Sequence, residues 1–386
     1  MKPLIAVPAG DLPRMTAQLR EAVLFDGPAV LPIPGDEEPA DPVASFVPDE
    51  IALVVETSGS TAAPKRVALS AAALRASAGA TAHWFGGVHG QWLLALPATY
   101  IAGVQVLVRS LVAGTEPAAL GPGGFTPEAF VAAARTLDPD RQWFTSLVPV
   151  QLARLVDAAE DDRSVRAALG SFERILLGGQ AAPAGLVQQA AALGARVHRT
   201  YGSSETAGGC VYDGRPLQRV EVRTVDGELQ LAGPMLAEGY LDDPVRTERA
   251  FVIDEQGTRW YRTGDLGSVD ADGRVRVTGR VDDVMTSGGV KVVLGEVERA
   301  VHRVAGFGDA VVVAVADPEW GERAVVVSAG DAARAADALG ALRAATDAAG
   351  LPPAGRPVRV VVVDELPRLP SGKPDRVAAA AAARRD

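Results

Sequence analysis

The chain has 386 residues, of which 48% are hydrophobic, and a formal net charge of -10 at pH 7. This composition supports a large buried core in two or three domains or subdomains and excludes a disordered chain. An acidic chain without a block of Lys and Arg is not expected to bind nucleic acid, and no run approaches the roughly 20 apolar residues that cross a bilayer.

Between about residues 50 and 200, short apolar runs alternate with longer helical ones. The short runs predict strands at IALVVE, RVALS, QWLLALP, RQWFTSLVP, RILLGG and ARVHRTYG. Apolar residues at helical spacing predict helices at SAAALRASAGATAHW, IAGVQVLVRSLVAG, PVQLARLVDAAE and APAGLVQQAAALG. This alternation indicates an α/β fold with mostly parallel sheets.

The pattern changes twice after residue 200. Short strands and Asp-Gly turns from about 215 to 280 predict a small β subdomain. After Arg280 we expect helix GEVERAVHRV, strands AVVVAVAD and RAVVVSAG, helix AARAADALGALRAATDAAG, strand PVRVVVVDEL and an Ala-rich terminal helix. The sequence therefore predicts a large N-terminal domain at 1–280 and a small α+β domain at 281–386.

The segment ETSGSTAAPKRVALS begins at Glu56, directly after an apolar strand. Its hydroxyl groups and loose backbone suit a polyphosphate, and it carries Lys65, one of only four lysines among 38 basic residues. The segment is not a Walker-type loop, because no glycine precedes Lys65 and Arg66 follows it. The alternative, taken from this segment alone, is an ordinary Ser/Thr-rich surface loop.

Further segments follow this loop in a fixed order. They are LLGGQ at 176–180, YGSSETAGG at 201–209, YRTGDLG at 261–267, GRVDDVMTSGG at 279–289 and LPSGKPDR at 369–376. Together with the loop they resemble the adenylate-forming superfamily of acyl-CoA synthetases, firefly luciferases and peptide-synthetase adenylation domains. The resemblance covers about residues 50–376 and implies a large adenylate-forming domain followed by a small mobile domain.

The resemblance implies that ATP and Mg²⁺ bind along these segments. The residues that it assigns to the nucleotide are Thr57, Ser58, Gly59, Ser60, Thr61 and Lys65 at the phosphates, Gly179, Gln180 and Tyr201 around the base, Asp265 at the ribose hydroxyls, Arg280 beside the ribose and phosphate, and also Gly202 and Ser203. It assigns Mg²⁺ to Glu205 and Thr61.

The chemistry of adenylation brings two anions together. A carboxylate must attack the α-phosphate of ATP, so the site needs positive charge to hold the reacting groups in line. The resemblance gives this role to Lys373, which would bridge the carboxylate and the α-phosphate, with Glu205 and Arg280 as the other catalytic residues.

The segment after Arg280 indicates which molecule accepts the acyl group from the adenylate. By resemblance Asp282 is the hinge about which the small domain rotates, and Ser287, Gly288 and Gly289 line the path of coenzyme A. Since the printed sequence ends at Asp386 without a carrier domain, coenzyme A is the expected acceptor. A thiol from coenzyme A also makes a nucleophilic Cys210 unnecessary, so we expect this single cysteine, which excludes an internal disulfide, to serve packing.

A second resemblance indicates which acid is the substrate. About 56 residues precede the phosphate loop, and this short front, together with QWLLALPATYIAGVQVLVRSLVAGT, FTSLVPVQL, LLGGQAAP and YGSSETAGGCVYDGRPL, resembles compact o-succinylbenzoate-CoA ligases of menaquinone biosynthesis. The resemblance implies that Arg109 faces the second carboxylate of the acid. The other acid-lining residues that it implies are Tyr100, Thr145, Ser146 and Gly178, with Gly179 beside the last.

Two positions depart from that family. Tyr100 stands where a histidine is common, and Ala62 stands where a glycine usually follows the Thr of the phosphate loop. These departures leave two alternatives open, a CoA ligase for another aryl or alkyl acid and a non-catalytic nucleotide-binding relative. The retained Lys373, Glu205 and Asp265 argue against the second alternative.

The expected partners are small molecules. They are the acid, ATP and coenzyme A, with no nucleic acid and no membrane, and a homo-oligomer is possible. Because MKPLIAVPAGDLPRM lacks the apolar stretch of a signal peptide, we expect a cytoplasmic protein.

Overall fold

The computed structural model of the chain describes residues 1–35, 44–57, 65–121, 123–183, 185–369 and 374–385. Six residues singled out from the sequence lie outside these ranges, namely Ser58, Gly59, Ser60, Thr61, Ala62 and Lys373. Among the described residues, no helix has both the length and the apolar character that a bilayer crossing requires.

The elements are numbered in chain order. The strands are β1 (Lys2–Pro8), β2 (Ala29–Ile33), β3 (Phe46–Val47), β4 (Ile51–Thr57), β5 (Lys65–Ser70), β6 (Gln91–Leu94), β7 (Ala118–Ala119), β8 (Trp143–Leu147), β9 (Phe172–Leu177), β10 (Val197–Ser203), β11 (Gly208–Tyr212), β12 (Arg215–Pro216), β13 (Glu221–Val225), β14 (Glu228–Ala232), β15 (Gly239–Tyr240), β16 (Phe251–Ile253), β17 (Arg259–Val269), β18 (Val275–Arg280), β19 (Val284–Ser287), β20 (Val290–Val293), β21 (Val311–Asp317), β22 (Gly321–Ala329) and β23 (Arg359–Val363). The helices are α1 (Leu12–Leu24), α2 (Ala71–Trp84), α3 (Ile101–Ala113), α4 (Pro127–Ala134), α5 (Pro149–Asp161), α6 (Arg163–Ser171), α7 (Leu186–Ala192), α8 (Pro244–Ala250), α9 (Leu294–Val301), α10 (Asp331–Arg334), α11 (Ala338–Ala348) and α12 (Arg376–Arg385).

Two large sheets form the first part of the chain. One has the order β15-β5-β4-β2-β1-β3, in which β1, β2 and β4 run parallel and the other pairings are antiparallel. The other has the order β12-β11-β10-β9-β8-β6-β7, in which the strands from β7 to β10 are parallel. The parallel strands therefore end at one edge, the usual place for a ligand site in such sheets.

The remaining strands form two separate sheets. Strands β13, β14, β16, β17 and β18 make an antiparallel sheet, as the Asp-Gly turns predict. In the last part of the chain, β19 to β22 pair antiparallel and β23 lies parallel to β22. In the part of the chain that the structure describes, this last sheet shares no strand with the others, which gives a large first domain and a small second one.

Helix α3 is the most enclosed part of the fold that concerns function. It packs against α2 and β6 within a hydrophobic core that also contains residues of β4, β5 and β8. Ten of its 13 residues are buried, and it ends at Gly114 in the left-handed conformation with φ +66°. Since a helix that is apolar on all sides belongs in a core, its two large polar residues, Gln105 and Arg109, are exceptional.

The observed elements differ from the predicted ones in several places, for example at helices α4 and α6, for which the sequence predicted no helix. The long helix predicted after β22 is divided into α10 and α11 around residues 335–337, although its sequence is rich in alanine. In addition, residues 2–33 form a strand, a helix and a strand, for which the sequence patterns provided no separate prediction.

Candidate active site

The predicted phosphate loop joins two paired strands. Thr57 at the end of β4 lies opposite Lys65 at the start of β5, and the hydroxyl of Thr57 donates to the Lys65 carbonyl oxygen at 3.5 Å. One residue further from the loop, Arg66 donates to Glu56 at 2.9 Å. The strands therefore fix both ends of the loop, while Ser58 to Thr61 lie outside the described residues.

The next motif lies on the neighbouring sheet. Strand β10 ends in a short 3₁₀ turn at Ser204–Thr206 and returns as β11. A Cβ on Gly202 would lie 2.1 Å from the carbonyl oxygen of Gly208, so only glycine permits this close approach. The turn is further held by Ser203, whose backbone N–H donates to the hydroxyl of Thr206 at 2.8 Å.

Glu205 is held in this turn by a group from a distant strand. Its side chain is only 7% exposed, and its Oε1 accepts a hydrogen bond from the Tyr240 hydroxyl at 2.8 Å. Burial and the Glu205 carboxylate together raise the pKa of Tyr240 above its ordinary value, so the hydroxyl remains a donor at neutral pH. Tyr240 is a residue that the motif analysis missed.

Asp265 connects the second sheet to the antiparallel sheet. Its Oδ2 accepts from the Tyr201 hydroxyl at 2.7 Å, and its Oδ1 accepts from Arg280 at 3.1 Å. Burial raises the pKa of the Asp265 carboxyl, while these two donors act in the opposite direction. Each carboxylate oxygen has a further lone pair, so two more donors can be accepted.

Arg280 extends this network to the predicted hinge. Besides Asp265, which faces it across β17 and β18, it donates from Nε to Asp282 at 2.9 Å. Burial disfavours its charge, but its hydrogen bond to Asp282 and the nearby carboxylates outweigh burial and raise the pKa of Arg280. Burial disfavours the charge of Asp282, but the hydrogen bond from Arg280 and the Arg280 charge outweigh it and lower the pKa of the Asp282 carboxyl.

The residues predicted to line the adenine base and the acid lie on or directly after the neighbouring strands β8 and β9. Gly178 comes after β9, and a Cβ there would lie 2.4 Å from the Thr200 hydroxyl oxygen, while Gly179 has a positive φ of +89°. The carbonyl oxygen of the Gln180 side chain is buried and accepts no hydrogen bond from a described group. On β8, Thr145 and Ser146 are both buried.

Tyr100 and Arg109 both belong to the region of helix α3, at its N-cap and in its second half. Tyr100 precedes the helix, and burial raises its pKa. Arg109 is 6% exposed, lies over the Trp92 ring at 4.9 Å, and donates to the Tyr212 hydroxyl at 3.5 Å. Burial lowers the pKa of Arg109, and its Nε has no partner among the described groups.

The predicted path of coenzyme A is a hairpin turn between β19 and β20. Ser287 pairs with Val290, and Gly288 and Gly289 form the turn with φ of +56° and +79°. A Cβ on Gly288 would lie 2.7 Å from the Trp320 ring. Both the turn and the indole therefore require glycine at position 288.

Cys210 lies in β11 with 1% exposure. Burial raises the pKa of its thiol to about 12. A thiol in this state is protonated at neutral pH, which agrees with the expected packing role.

The structure thus brings the sequence motifs together in part. Tyr201, Asp265, Arg280 and Asp282 form one network, and Glu205 lies in the turn that follows Tyr201. One residue that sequence reasoning overlooked could have been noticed, because Gln105 is a polar residue in an apolar helix and lies four positions before Arg109.

Comparisons with known proteins identify related families and folds. The family model described as AMP-binding enzyme matches residues 12–241, and the AMP-binding enzyme C-terminal domain matches residues 296–373. A probable 2-succinylbenzoate–CoA ligase of Mycobacterium tuberculosis H37Rv is 39% identical over 383 residues, which cover 96% of each chain. The 2-succinylbenzoate–CoA ligase of Escherichia coli K12 is 31% identical over 74% of this chain and 60% of its own length.

Solved structures share the same fold. The o-succinylbenzoate CoA synthetase of Bacillus subtilis, in complex with the acyl-adenylate intermediate OSB-AMP, matches with a TM-score of 0.72 and 24% identity, covering 94% of this chain and 80% of that one. The amide bond synthetase McbA of Marinactinospora thermotolerans matches with a TM-score of 0.74 and 28% identity, covering 98% and 79%.

Proposed function

Because this chain belongs to the AMP-binding enzyme family, we propose that it is an o-succinylbenzoate-CoA ligase. A carboxylate oxygen of the acid attacks the α-phosphorus of ATP, the bond to pyrophosphate breaks, and an acyl-adenylate forms. The sulfur of coenzyme A then attacks the acyl carbonyl carbon, and AMP leaves with the bonding electrons. The product is the thioester that menaquinone biosynthesis requires.

The observation that carries the choice of acid is the buried guanidinium of Arg109. The guanidinium is almost fully enclosed, and no carboxylate of the described residues forms an ion pair with it. A buried cation without an anionic partner is costly, and an acid with a second carboxylate supplies that partner. The full-length relationship to a probable 2-succinylbenzoate–CoA ligase supports the same acid.

The nucleotide side suits the ribose and base of ATP. Asp265 is fixed by Tyr201 and Arg280 and keeps lone pairs for two hydroxyl donors. The free carbonyl oxygen of Gln180 is suited to an amino group such as that of adenine. Thr57 and Lys65 hold the ends of the loop that would contact the phosphates.

The carboxylate of Glu205 is suited to bind Mg²⁺ beside the phosphates of ATP. No group of three or more His, Cys, Asp and Glu side chains within the described ranges is placed to hold a metal ion. Glu205 has one oxygen bonded to Tyr240 and a second available, and Mg²⁺ is commonly bound by one or two carboxylates together with substrate phosphates. The ion would neutralise charge on those phosphates.

The second domain would serve the two half-reactions in turn. We propose that Lys373 supplies positive charge for adenylation and that the residues from 281 onwards rotate about Asp282 for thioester formation. The ion pair between Asp282 and Arg280 would hold the adenylation arrangement, and the Gly288–Gly289 turn would border coenzyme A in the other arrangement.

The experiment is ATP–pyrophosphate exchange with a panel of acids. The panel contains o-succinylbenzoate, analogues that lack one of its carboxylates, and simple aryl and alkyl acids. We expect exchange mainly with o-succinylbenzoate, and thioester after addition of coenzyme A.

Other results would assign other functions. Equal exchange with simple monocarboxylic acids would identify a ligase for another acid. Exchange without a thioester would exclude coenzyme A as the acceptor, and no exchange with any acid would identify a non-catalytic relative.

A further inference from the structure

Gln105 has a buried amide that no described group satisfies. The side chain lies in α3 and is 0% exposed, and neither its Oε1 nor its Nε2 has a hydrogen-bond partner within the described part of the chain. Buried polar groups in folded proteins nearly always have a partner, so each exception requires an explanation.

The position of this amide is next to the motif that carries Glu205. A Cβ placed on Gly208 would lie 3.3 Å from Cγ of Gln105, so the side chain lies directly against the start of β11. Gly208 pairs with Ser203 of β10, and the turn between these two strands contains Glu205. Gln105 therefore lies behind the site and not at a remote place in the core.

A series of close contacts leads from β11 to Gly178, one of the residues predicted to line the acid. Next to Gly208, a Cβ on Gly209 would lie 3.1 Å from Cβ of Thr200, and a Cβ on Gly178 would lie 2.4 Å from the hydroxyl oxygen of Thr200. Thr200 thus lies between Gly209 of β11 and Gly178, which is predicted to line the acid.

Arg109 lies one helical turn after Gln105. Residues four apart share a helix face, so both side chains face the same side of α3. Arg109 contacts Tyr212 at the far end of β11, and its Nε also lacks a partner among the described groups. The helix therefore presents a neutral donor and a charged donor, both buried and each with at least one polar atom that bonds no described group.

A second buried glutamine, Gln151, differs from Gln105 in the hydrogen bonding of its amide. Gln151 is also buried, but its Oε1 accepts from the Val148 N–H at 3.1 Å and its Nε2 donates to the Ala95 carbonyl oxygen at 2.8 Å. Gln151 thus stabilises the fold with both amide atoms. Gln105 does so with neither, and a methionine of similar size would fill its space without leaving a polar group unpaired.

We propose that Gln105 is an acid-binding residue, whose Nε2–H groups donate to the second carboxylate of the bound acid beside Arg109. The inference rests on the proposed function, since it needs an acid with two carboxylates. The neutral amide adds a directed donor without adding a second buried charge, so Arg109 alone balances the carboxylate.

The test uses Gln105→Met in the full-length protein. Removal of a hydrogen bond to a charged group should raise KM for o-succinylbenzoate in ATP–pyrophosphate exchange by about ten- to a hundredfold. The KM for ATP should stay within about twofold, and the melting temperature should be unchanged or higher because an unpaired buried amide has been removed. Gln105→Glu, which places a second anion beside the carboxylate, should raise KM further.

Gln151→Met is the matched control. It should lower the melting temperature, since the Val148 N–H and the Ala95 carbonyl would lose their partners, and it should leave the acid preference unchanged. An analogue that lacks the second carboxylate should be used equally well by the parent protein and Gln105→Met.

The outcomes separate this inference from the proposed function. If the parent protein does not activate o-succinylbenzoate, the proposed function is wrong, and this inference with it. If the parent does so but Gln105→Met keeps the parental KM, only the role of Gln105 is wrong. A Gln105→Met variant that melts lower or does not fold would show that the glutamine serves the fold.

Discussion

The polar groups of two regions differ in their hydrogen bonding. One region is the nucleotide network of Tyr201, Asp265 and Arg280, and the other is helix α3. Tyr201, Asp265 and Arg280 come from three strands and bond one another at 2.7 and 3.1 Å. Gln105 and Arg109 come from one helix, and three of their nitrogen and oxygen atoms bond no described protein group.

The difference follows from what each region would bind. A site for the ribose keeps its geometry if its residues orient one another, which lowers the cost of binding. A site for one particular acid discriminates if its buried donors are left unpaired by the wrong acid. Five changes test this comparison, from the largest expected effect to the smallest.

The largest effect belongs to a residue outside both regions. Lys373→Ala should lower the rate of adenylate formation by about 10²- to 10³-fold, because the lost charge acts mainly in the transition state. The conversion of a supplied acyl-adenylate with coenzyme A should be nearly intact. Measurement of the two half-reactions separately checks this, and an equal loss of both would contradict the role of Lys373.

The second change concerns Asp282, the proposed hinge, which bonds Arg280 of the nucleotide network. Asp282→Pro should slow thioester formation by about 10²-fold, since a fixed φ hinders rotation of the second domain, while adenylate formation continues. Because proline also removes the ion pair with Arg280, Asp282→Ala is the matched control. Thioester formation at the parental rate in the proline variant would show that the pivot is elsewhere.

The third change breaks the α3 region at its charged residue. Arg109→Ala should reduce kcat/KM for o-succinylbenzoate by about ten- to a hundredfold, because a charge-assisted hydrogen bond contributes about 1.5 to 3 kcal/mol. The affinity for ATP should hardly change. Monocarboxylic analogues should be poor substrates of both proteins and lose little, and an unaltered preference for the dicarboxylic acid would refute the assignment.

The fourth change weakens the nucleotide network without removing an atom. Asp265→Asn leaves Arg280 without one of its two carboxylate partners and replaces charge-assisted bonds with neutral ones. We expect KM for ATP to rise about tenfold and KM for the acid to stay constant. A change in both constants would mean that the two regions are coupled.

The smallest effect is expected at Cys210, which lies between the two regions. With a thiol pKa of about 12, Cys210 should not react with a thiol reagent at pH 8 in the folded protein but should react after denaturation. Cys210→Ala should keep kcat within about twofold. Loss of activity on labelling of the native protein would assign the thiol a direct part in the reaction.

Much of the fold could be predicted from the sequence. Apolar runs and helical spacing predict strands β4, β5, β6, β8, β9 and β10 and helices α2, α3, α5 and α7, because burial of one face imposes a period of 2 or 3.6 residues. The break between α10 and α11 could not be predicted, since alanine favours helix on both sides and the residues between the two helices include no Gly or Pro.

The sequence by itself determined the order of the motifs and the residue types that we expect to bind phosphate, ribose and metal. Such residues occur in short contiguous segments, so they can be read without knowledge of the fold. It also identified Arg109 as a cation within an apolar helix.

Only the tertiary structure decided which of these groups have partners. The bond from Tyr240 to Glu205 joins residues 35 positions apart, and that from Tyr201 to Asp265 joins residues 64 apart. The unpaired amide of Gln105 likewise results from its contact with β11, a strand that begins about a hundred residues later. Periodicity records which face of an element is buried, whereas hydrogen bonding in the interior depends on which distant element covers that face.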